Sequence, residues 1–188
     1  MVTDFAALAI GAADVPIYPP VTGEQIAALR AGKIDVALVG HAGTFLEKEF
    51  YVKNLAVLPV WVAMAADHPL AQKTAVKLAD LRGEVFVGAA EADMPGHNQW
   101  VSRLCKRAGF RARFVQDADS LTHSLSLTVT ENAVSLLPDY SSKTKVPGVV
   151  FRPLRDAAAT CPLMVAWQRG KVSAAVRTLL AALPAGIP

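Results

Sequence analysis

The residues of this sequence best suited to chemistry are those that start helices. Thr22, Ser120 and the turn Pro95-Gly96-His97 each precede an apolar stripe of helical period. The first N–H groups of a helix lack intrahelical partners, and the aligned peptide dipoles make that end positive. Such positions favour an anionic ligand group. The hydroxyls of Thr22 and Ser120 also serve as plain caps, worth about 1 kcal/mol each. Other chemistry finds little support. None of His41, His68, His97 and His123 has a useful metal-ligand partner two to four residues on, and neither Cys-x-x-Cys nor His-x-x-x-His occurs, so no metal site is expected. Gly-x-Ser-x-Gly and the phosphate-binding glycine signatures are absent. Asp117, Asp119 and Glu131 flank a helix start and end and read as solvated loop carboxylates. No catalytic residue and no cofactor is assigned, and an enzyme is not expected.

The elements that must position these residues follow from composition and pattern. The chain has 188 residues, 53% of them hydrophobic, which suits one domain or two small lobes sharing a ligand cleft. Mean hydropathy is +0.33. No window reaches the roughly 18 unbroken apolar residues of a membrane span, so the apolar content belongs to a core. Net charge is +3. That is weak support for nucleic-acid binding, and the densest cluster, Arg103, Lys106, Arg107, Arg111 and Arg113, reads as a solvated helix face and its exit. Cys105 and Cys161 read as buried thiols. Phe5 to Ala13 is apolar, but the first basic residue is Arg30, so no signal peptide is expected and the protein is read as cytoplasmic.

Along the chain, Val15 to Tyr18 reads as a short strand. Thr22 to Ala31 reads as a helix with Thr22 and Gln25 as a capping box, stopped by Gly32. Lys33 to Val39 is a mostly apolar strand covered on both faces. Asn54 to Ala65 is a long apolar strand whose Pro59 implies an edge, a bend or a crossing between lobes. After a turn at Asp67–Ala71 come a short helix at Val76–Leu81 and a strand at Glu84–Val87. Pro95 is expected in the first turn of the next helix, which Gly109 ends. Arg111 to Gln116 is a strand, Ser120 caps the helix Leu121–Thr130, and Pro138 stops the strand Ala133–Leu137. Two more strands, Val149–Leu154 and Pro162–Trp167, precede a closing amphipathic helix at Val172–Leu183. Alternating strands and helices predict mainly parallel sheets.

Thr22-x-x-Gln25, Leu29-x-x-Gly32 and Ile34-Asp-Val-Ala-Leu38 together resemble the effector-binding domain of LysR-type transcriptional regulators. The resemblance continues through His68-Pro-Leu-Ala71, Leu78-Ala-Asp-Leu-Arg-Gly83 with Val85-Phe-Val87, Ala108-Gly-Phe110, Val134-Ser-Leu-Leu-Pro138 and Val146-Pro-Gly-Val-Val-Phe-Arg-Pro-Leu154. It covers about residues 15 to 183 and rests on the order and spacing of these motifs.

The resemblance implies an α/β, two-lobed type-2 periplasmic-binding-protein-like fold with two crossing hinge strands. Lobe I would comprise residues 1–61 and 153–188, lobe II residues 67–148, with hinges near 61–66 and 149–152. A small organic, anionic effector, a carboxylate, would lie between the lobes. By position Thr22 matches an effector-contacting hydroxyl, Leu38 and Gly40 the end of the lobe I strand, and Pro95, Gly96 and His97 a loop lining the cleft. His97 reads equally as a surface histidine. Ser120 adds a helix start, and Phe151 an apolar wall beside Trp61, Leu38 and Trp167. A homodimer is the default partner, and a heterodimer with a full-length regulator the alternative. No direct DNA binding by this chain and no membrane partner are expected. The family's winged helix-turn-helix has no counterpart here, and only 14 residues precede Val15, where the family carries a strand, a loop and a helix. Phe5–Ile10 reads as a remnant of that helix, with Leu8–Gly11 as replacement strand the alternative. Met1 with a shortened sensor favours a naturally shortened gene over an excised piece. Where the family often has Gly-x-Gly before the late strand, Glu131 and Ala133 stand. The other functional readings are a solute-binding protein of the same fold and a stand-alone, dominant-negative partner of an intact regulator.

Overall fold

The computed structural model describes residues 22–40, 45–170 and 172–183. The expected strand Val15–Tyr18, the segment Phe5–Ile10 and His41 lie outside the described residues. The chain divides into two compact units, one of residues 1–56 and 162–188, the other of residues 57–161.

In the first unit, helix α1 (Thr22–Arg30) buries Ile26 and Leu29 and is followed by strand β1 (Val36–Val39). Thr22 is the first residue of the helix. Gly32, at φ +65°, reverses the chain. Its N–H reaches the Leu29 carbonyl at 3.1 Å and that of Lys33 reaches Ala28 at 2.9 Å, which satisfies the last-turn carbonyls. Lys33 to Asp35 are spent on this exit, so the strand is shorter than expected. Helix α2 (Phe45–Glu49), which the sequence reading lacks, leads into strand β2 (Phe50–Ala65). Strand β7 (Thr160–Gln168) pairs antiparallel with β1, Leu38 opposite Val165. The core joins Ile26 and Leu29 to Ala37, Val39, Phe50 and Met164. Helix α5 (Ala174–Ala182) is capped by Ser173, whose Oγ accepts the Val176 N–H at 3.2 Å.

The second unit is built on strands β3 (Phe86–Ala89) and β4 (Phe114–Ala118), which pair in parallel. Helix α3 (His97–Arg107) follows β3, and helix α4 (Leu121–Thr130) follows β4. Trp100, Val101, Leu104 and Cys105 of α3 are buried with Phe86 and Val134 in the main core. Strands β5 (Ser135–Pro138) and β6 (Val149–Pro153) both pair antiparallel with β2.

One expectation is corrected here. The mainly parallel sheets are, among the described residues, confined to β3–β4 and the single bridges Phe86–Val134 and Val76–Leu154. The other registers, β1–β7, β2–β5 and β2–β6, are antiparallel. Long strands that return along their neighbours need no helical crossover, and crossover connections are what enforce parallel pairing. The two compact units divide between residues 56 and 57 and between residues 161 and 162. Residues 61–65 pair with residues 149–153, so both segments lie inside the second unit. The strands that carry the chain from one unit to the other are β2 and β7, and Pro59 sits three residues past the first passage, in line with a crossing role.

Candidate functional site

The second unit presents the more complete arrangement. Parallel β3 and β4 end side by side, the Ala90 N–H reaching the Ala118 carbonyl at 3.0 Å. A helix starts just beyond each strand. In open α/β sheets this carboxyl edge is where ligands bind. The loop after β3 folds back on itself, with the Met94 N–H bonded to Ala90 at 2.8 Å and that of His97 to Met94 at 3.2 Å. Gly96, at φ +82°, is the cap of α3, so Pro95 precedes the helix instead of occupying its first turn. Glu91 Oε1 accepts the Gly96 N–H at 3.0 Å, which sets one carboxylate at this helix start. The N–H groups of Asn98 and Gln99 have no acceptor among the described residues.

Ser120 performs the capping role expected of it, its Oγ accepting the His123 N–H at 3.2 Å. Asp119 stands beside it, its Oδ1 3.0 Å from His123 Nδ1. Hydrogen bonds from Ser120 first and His123 second hold the Asp119 carboxyl below its ordinary range. The N–H groups of Leu121 and Thr122 also lack an acceptor among the described residues. The two helices thus offer four free backbone donors at one edge of the sheet. Phe151 is half-buried and packs with Leu121 against Ala63, Leu125 and Leu137. One turn into α4, the Ser124 hydroxyl lies 2.9 Å from that of buried Ser135.

Pro95, Gly96 and His97 are all buried. The surface reading of His97 is therefore set aside: its residue is 4% exposed, and its ring centroid lies 5.5 Å from that of Trp100. Burial disfavours the imidazolium and pushes the pKa of His97 down to about 4, so the ring is neutral near pH 7. Trp100 is held in turn by its Nε1–H, which reaches the Thr160 carbonyl at 3.0 Å.

Sequence reasoning missed the residue that fixes the start of α3. Asn98 Oδ1 accepts the Ala89 N–H at 2.9 Å, and its Nδ2 donates to the Ala89 carbonyl at 3.0 Å and to Asp117 Oδ1 at 3.3 Å. The side chain thereby extends the end of β3 as a short neighbouring strand would. Asp117 lies against Gly88, where an added Cβ would fall 2.1 Å from its Oδ1. A lone glycine inside a strand is the available signal for such an approach.

In the first unit Thr22, Leu38 and Gly40 are half-buried. Gln25 joins helix to strand, its Oε1 accepting the Leu38 N–H at 3.0 Å. The predicted site residues therefore fall in two groups, Thr22, Leu38 and Gly40 in one unit, and Pro95, Gly96, His97, Ser120 and Phe151 in the other. Among the described residues no group of three or more His, Cys, Asp or Glu side chains is arranged to hold a metal ion, and no helix is long and apolar enough to cross a membrane.

Comparison with known proteins gives the family. The family model for the LysR substrate binding domain matches residues 14–187. The Hca operon transcriptional activator HcaR of Escherichia coli K12 is 27% identical over 161 residues, covering 86% of this chain and 54% of that protein. The HTH-type transcriptional regulator BudR of Raoultella terrigena is 27% identical over 171 residues, covering 87% of this chain and 59% of that protein. The chain thus spans a little over half the length of these curated relatives. Among solved structures, the BenM effector-binding domain with its effector benzoate is similar at a TM-score of 0.73 and 21% identity, covering 96% of this chain and 81% of that one. The LysR family regulator CbnR gives 0.73 and 21%, covering 87% and 56%. At that identity these two show the fold, which is two-lobed and periplasmic-binding-protein-like. With the family model matching nearly its whole length, the chain belongs to the LysR substrate-binding-domain family, the effector-binding domain of LysR-type regulators.

Proposed function

We propose that this domain senses a small organic anion, a carboxylate, at the helix starts of the second unit, with Pro95, Gly96, His97, Ser120 and Phe151 as the residues around it. The observation that carries the reading is the set of four unpaired backbone donors, on Asn98, Gln99, Leu121 and Thr122, at the edge of a parallel strand pair. Half-buried Phe151 and Leu121 add an apolar surface next to one of those helix starts. A related domain is described with benzoate as its effector, which makes an aromatic monocarboxylate the first compound to try. Glu91 and Asp119 already bring negative charge to the two helix starts, so a bound anion has to face the donors and not these side chains. We further infer that the domain acts within a longer regulator, because the chain spans little more than half of relatives named as transcriptional regulators.

Thermal unfolding with benzoate and a panel of small aliphatic and aromatic carboxylates tests this reading. A ligand present at about 100 times its Kd stabilises the native state by about 2.7 kcal/mol. At this chain length that raises the midpoint by roughly 5–10 °C. The expected result is such a rise with at least one compound, removed or reduced by Thr122→Pro, which deletes one of the four donors at an exposed position in the first helical turn. No rise with any compound, or a rise that Thr122→Pro leaves intact, contradicts the proposed site.

A further inference from the structure

Two hydroxyls meet beneath the start of α4. Ser124 Oγ lies 2.9 Å from Ser135 Oγ. Ser135 opens β5 and is 1% exposed, whereas Ser124, one turn into the helix, is half-buried. The surroundings are apolar. Ser135 stands opposite Ala63 in the β2–β5 register. Leu121 and Ser124 are spaced i, i+3 and so share a side of α4. Ala63 and Leu121 belong to one apolar cluster with Leu125, Leu137 and Phe151. The hydroxyl pair therefore adjoins the apolar surface that Phe151 and Leu121 offer beside this helix start.

A count of protons leaves one donor over. Each hydroxyl has a single proton to give and two lone pairs to accept with. The pair makes one bond, and neither side chain has a second partner among the described residues. Ser124 does not bond back to the carbonyl four residues earlier, as Ser126 does to Thr122 at 3.0 Å. Burial decides which proton is spare. With Ser124 as donor, the Ser135 proton would be enclosed without an acceptor, which is the costlier arrangement. Ser135 is therefore the donor, and the Ser124 O–H is free at a half-buried position. Its oxygen already accepts a bond, which polarises the group and strengthens it as a donor. Three residues rise about 4.5 Å along a helix, so this O–H stands one step below the free N–H groups of Leu121 and Thr122.

We propose that Ser124 is a specificity-determining residue of the anion site, its hydroxyl donating to a second polar atom of the ligand, and that Ser135 is the positioning residue that orients it. The inference rests on the carboxylate reading above and narrows it. The ligand class is an organic acid with a further hydrogen-bond acceptor, a hydroxyl or carbonyl oxygen, about 4–6 Å from the carboxylate. A ring or short chain joining the two groups lies against Phe151 and Leu121. An unsubstituted aromatic acid such as benzoate meets the N–H donors and the apolar surface but leaves the Ser124 proton unused. A hydroxyl pair that only fastens α4 to β5 fits less well, because an apolar pair of similar size joins the same two elements and strands no donor.

Isothermal titration calorimetry of the whole chain tests it, with each hydroxybenzoate isomer set against the methylbenzoate of the same substitution, and a short aliphatic hydroxy acid against its methyl counterpart. Hydroxyl and methyl are close in size, so each pair isolates the acceptor. At least one hydroxy acid is expected to bind about 3- to 10-fold more tightly than its methyl partner, the range of one neutral hydrogen bond. Ser124→Ala is expected to abolish that preference and to leave the Kd of the methyl acid within about 2-fold, which also shows the variant folded. Ser124→Thr keeps the hydroxyl and is expected to retain the preference, and Ser135→Ala to reduce it. No preference in any pair, or a preference that survives Ser124→Ala, overturns this inference while the carboxylate reading stands. Equal loss of both acids in Ser124→Ala assigns the hydroxyls to folding alone and overturns it too. Failure of every acid to bind removes the carboxylate reading, and this inference with it.

Discussion

Replacing Asn98 with alanine removes the one side chain that bonds both backbone groups of Ala89. The lost contacts are the bond from the Ala89 N–H at 2.9 Å, the bond to its carbonyl at 3.0 Å and the bond to Asp117 at 3.3 Å. Ala89 is 3% exposed, so water has little access to replace the first two. A buried backbone group left unpaired costs about 1–3 kcal/mol. Two such groups put the loss at about 2–6 kcal/mol, and the more exposed bond to Asp117 adds little. At this chain length that lowers the unfolding midpoint by roughly 4–24 °C. Asn98→Asp refines the test. The new carboxylate still accepts the Ala89 N–H but cannot donate to its carbonyl, and it faces Asp117 across a short gap. Protonation restores a donor and removes the repulsion, so the variant is expected to regain stability relative to the parent as pH falls through the carboxylate range. Urea unfolding followed by far-ultraviolet circular dichroism measures both effects. Ser102→Ala, on the exposed face of the same helix, is the control. A midpoint for Asn98→Ala within 2 °C or so of that control refutes the view that this side chain splices α3 onto the end of β3.

Three further outcomes follow from the same geometry. Ser120→Ala removes the cap of α4 and is expected to cost about 1 kcal/mol, read as a lower urea midpoint at constant slope. His97 has its pKa lowered by burial from 6.5 to about 4, so in that window the unfolded chain binds more protons than the native one. Its native environment is therefore fully tolerated above pH 6.5, and stability is lost on acidification toward pH 4 by up to about 1.4 kcal/mol per pH unit. His97→Phe keeps a ring beside Trp100, and its stability relative to the parent is expected to improve steadily as pH falls through that window; a constant difference contradicts the assignment. Gly88→Ala is expected to destabilise the parent, because the added Cβ meets Asp117 at 2.1 Å. In an Asp117→Ala background the obstacle is gone, and the same change is expected to be neutral or to stabilise by up to about 1 kcal/mol. An equal effect in both backgrounds, measured as a double-mutant cycle, rules out the contact as the cause.

What was legible in the sequence was local. Gly32 marks a helix stop because its positive φ and the two bonds around it are properties of a few consecutive residues. Ser120 announces its cap for the same reason, and Pro59 marks a strand that passes from one unit to the other. Contacts between residues made neighbours by the fold left no such trace. Gln25 reads as half of a capping box, whereas its carboxamide oxygen serves Leu38 thirteen residues on. Asn98 looks like one more polar helix residue until β3 lies beside it. The absent Gly-x-Gly before the late strand is answered by Asn132, which takes φ +47° itself, as asparagine does more readily than most residues. Helix α2 has only five residues, too few for a period to register. The predicted direction of the sheets failed because alternation of element types does not reveal which strands return along a neighbour.

The central claim is that a small anion is recognised by the free backbone donors at the two helix starts of the second unit. Two-dimensional amide NMR of the isotopically labelled domain, titrated with benzoate and the other carboxylates of the panel, tests it most directly. The account predicts saturable shifts at the amides of Asn98, Gln99, Leu121 and Thr122. Saturable shifts that leave all of these amides unmoved, or no saturable shift with any carboxylate, contradict it.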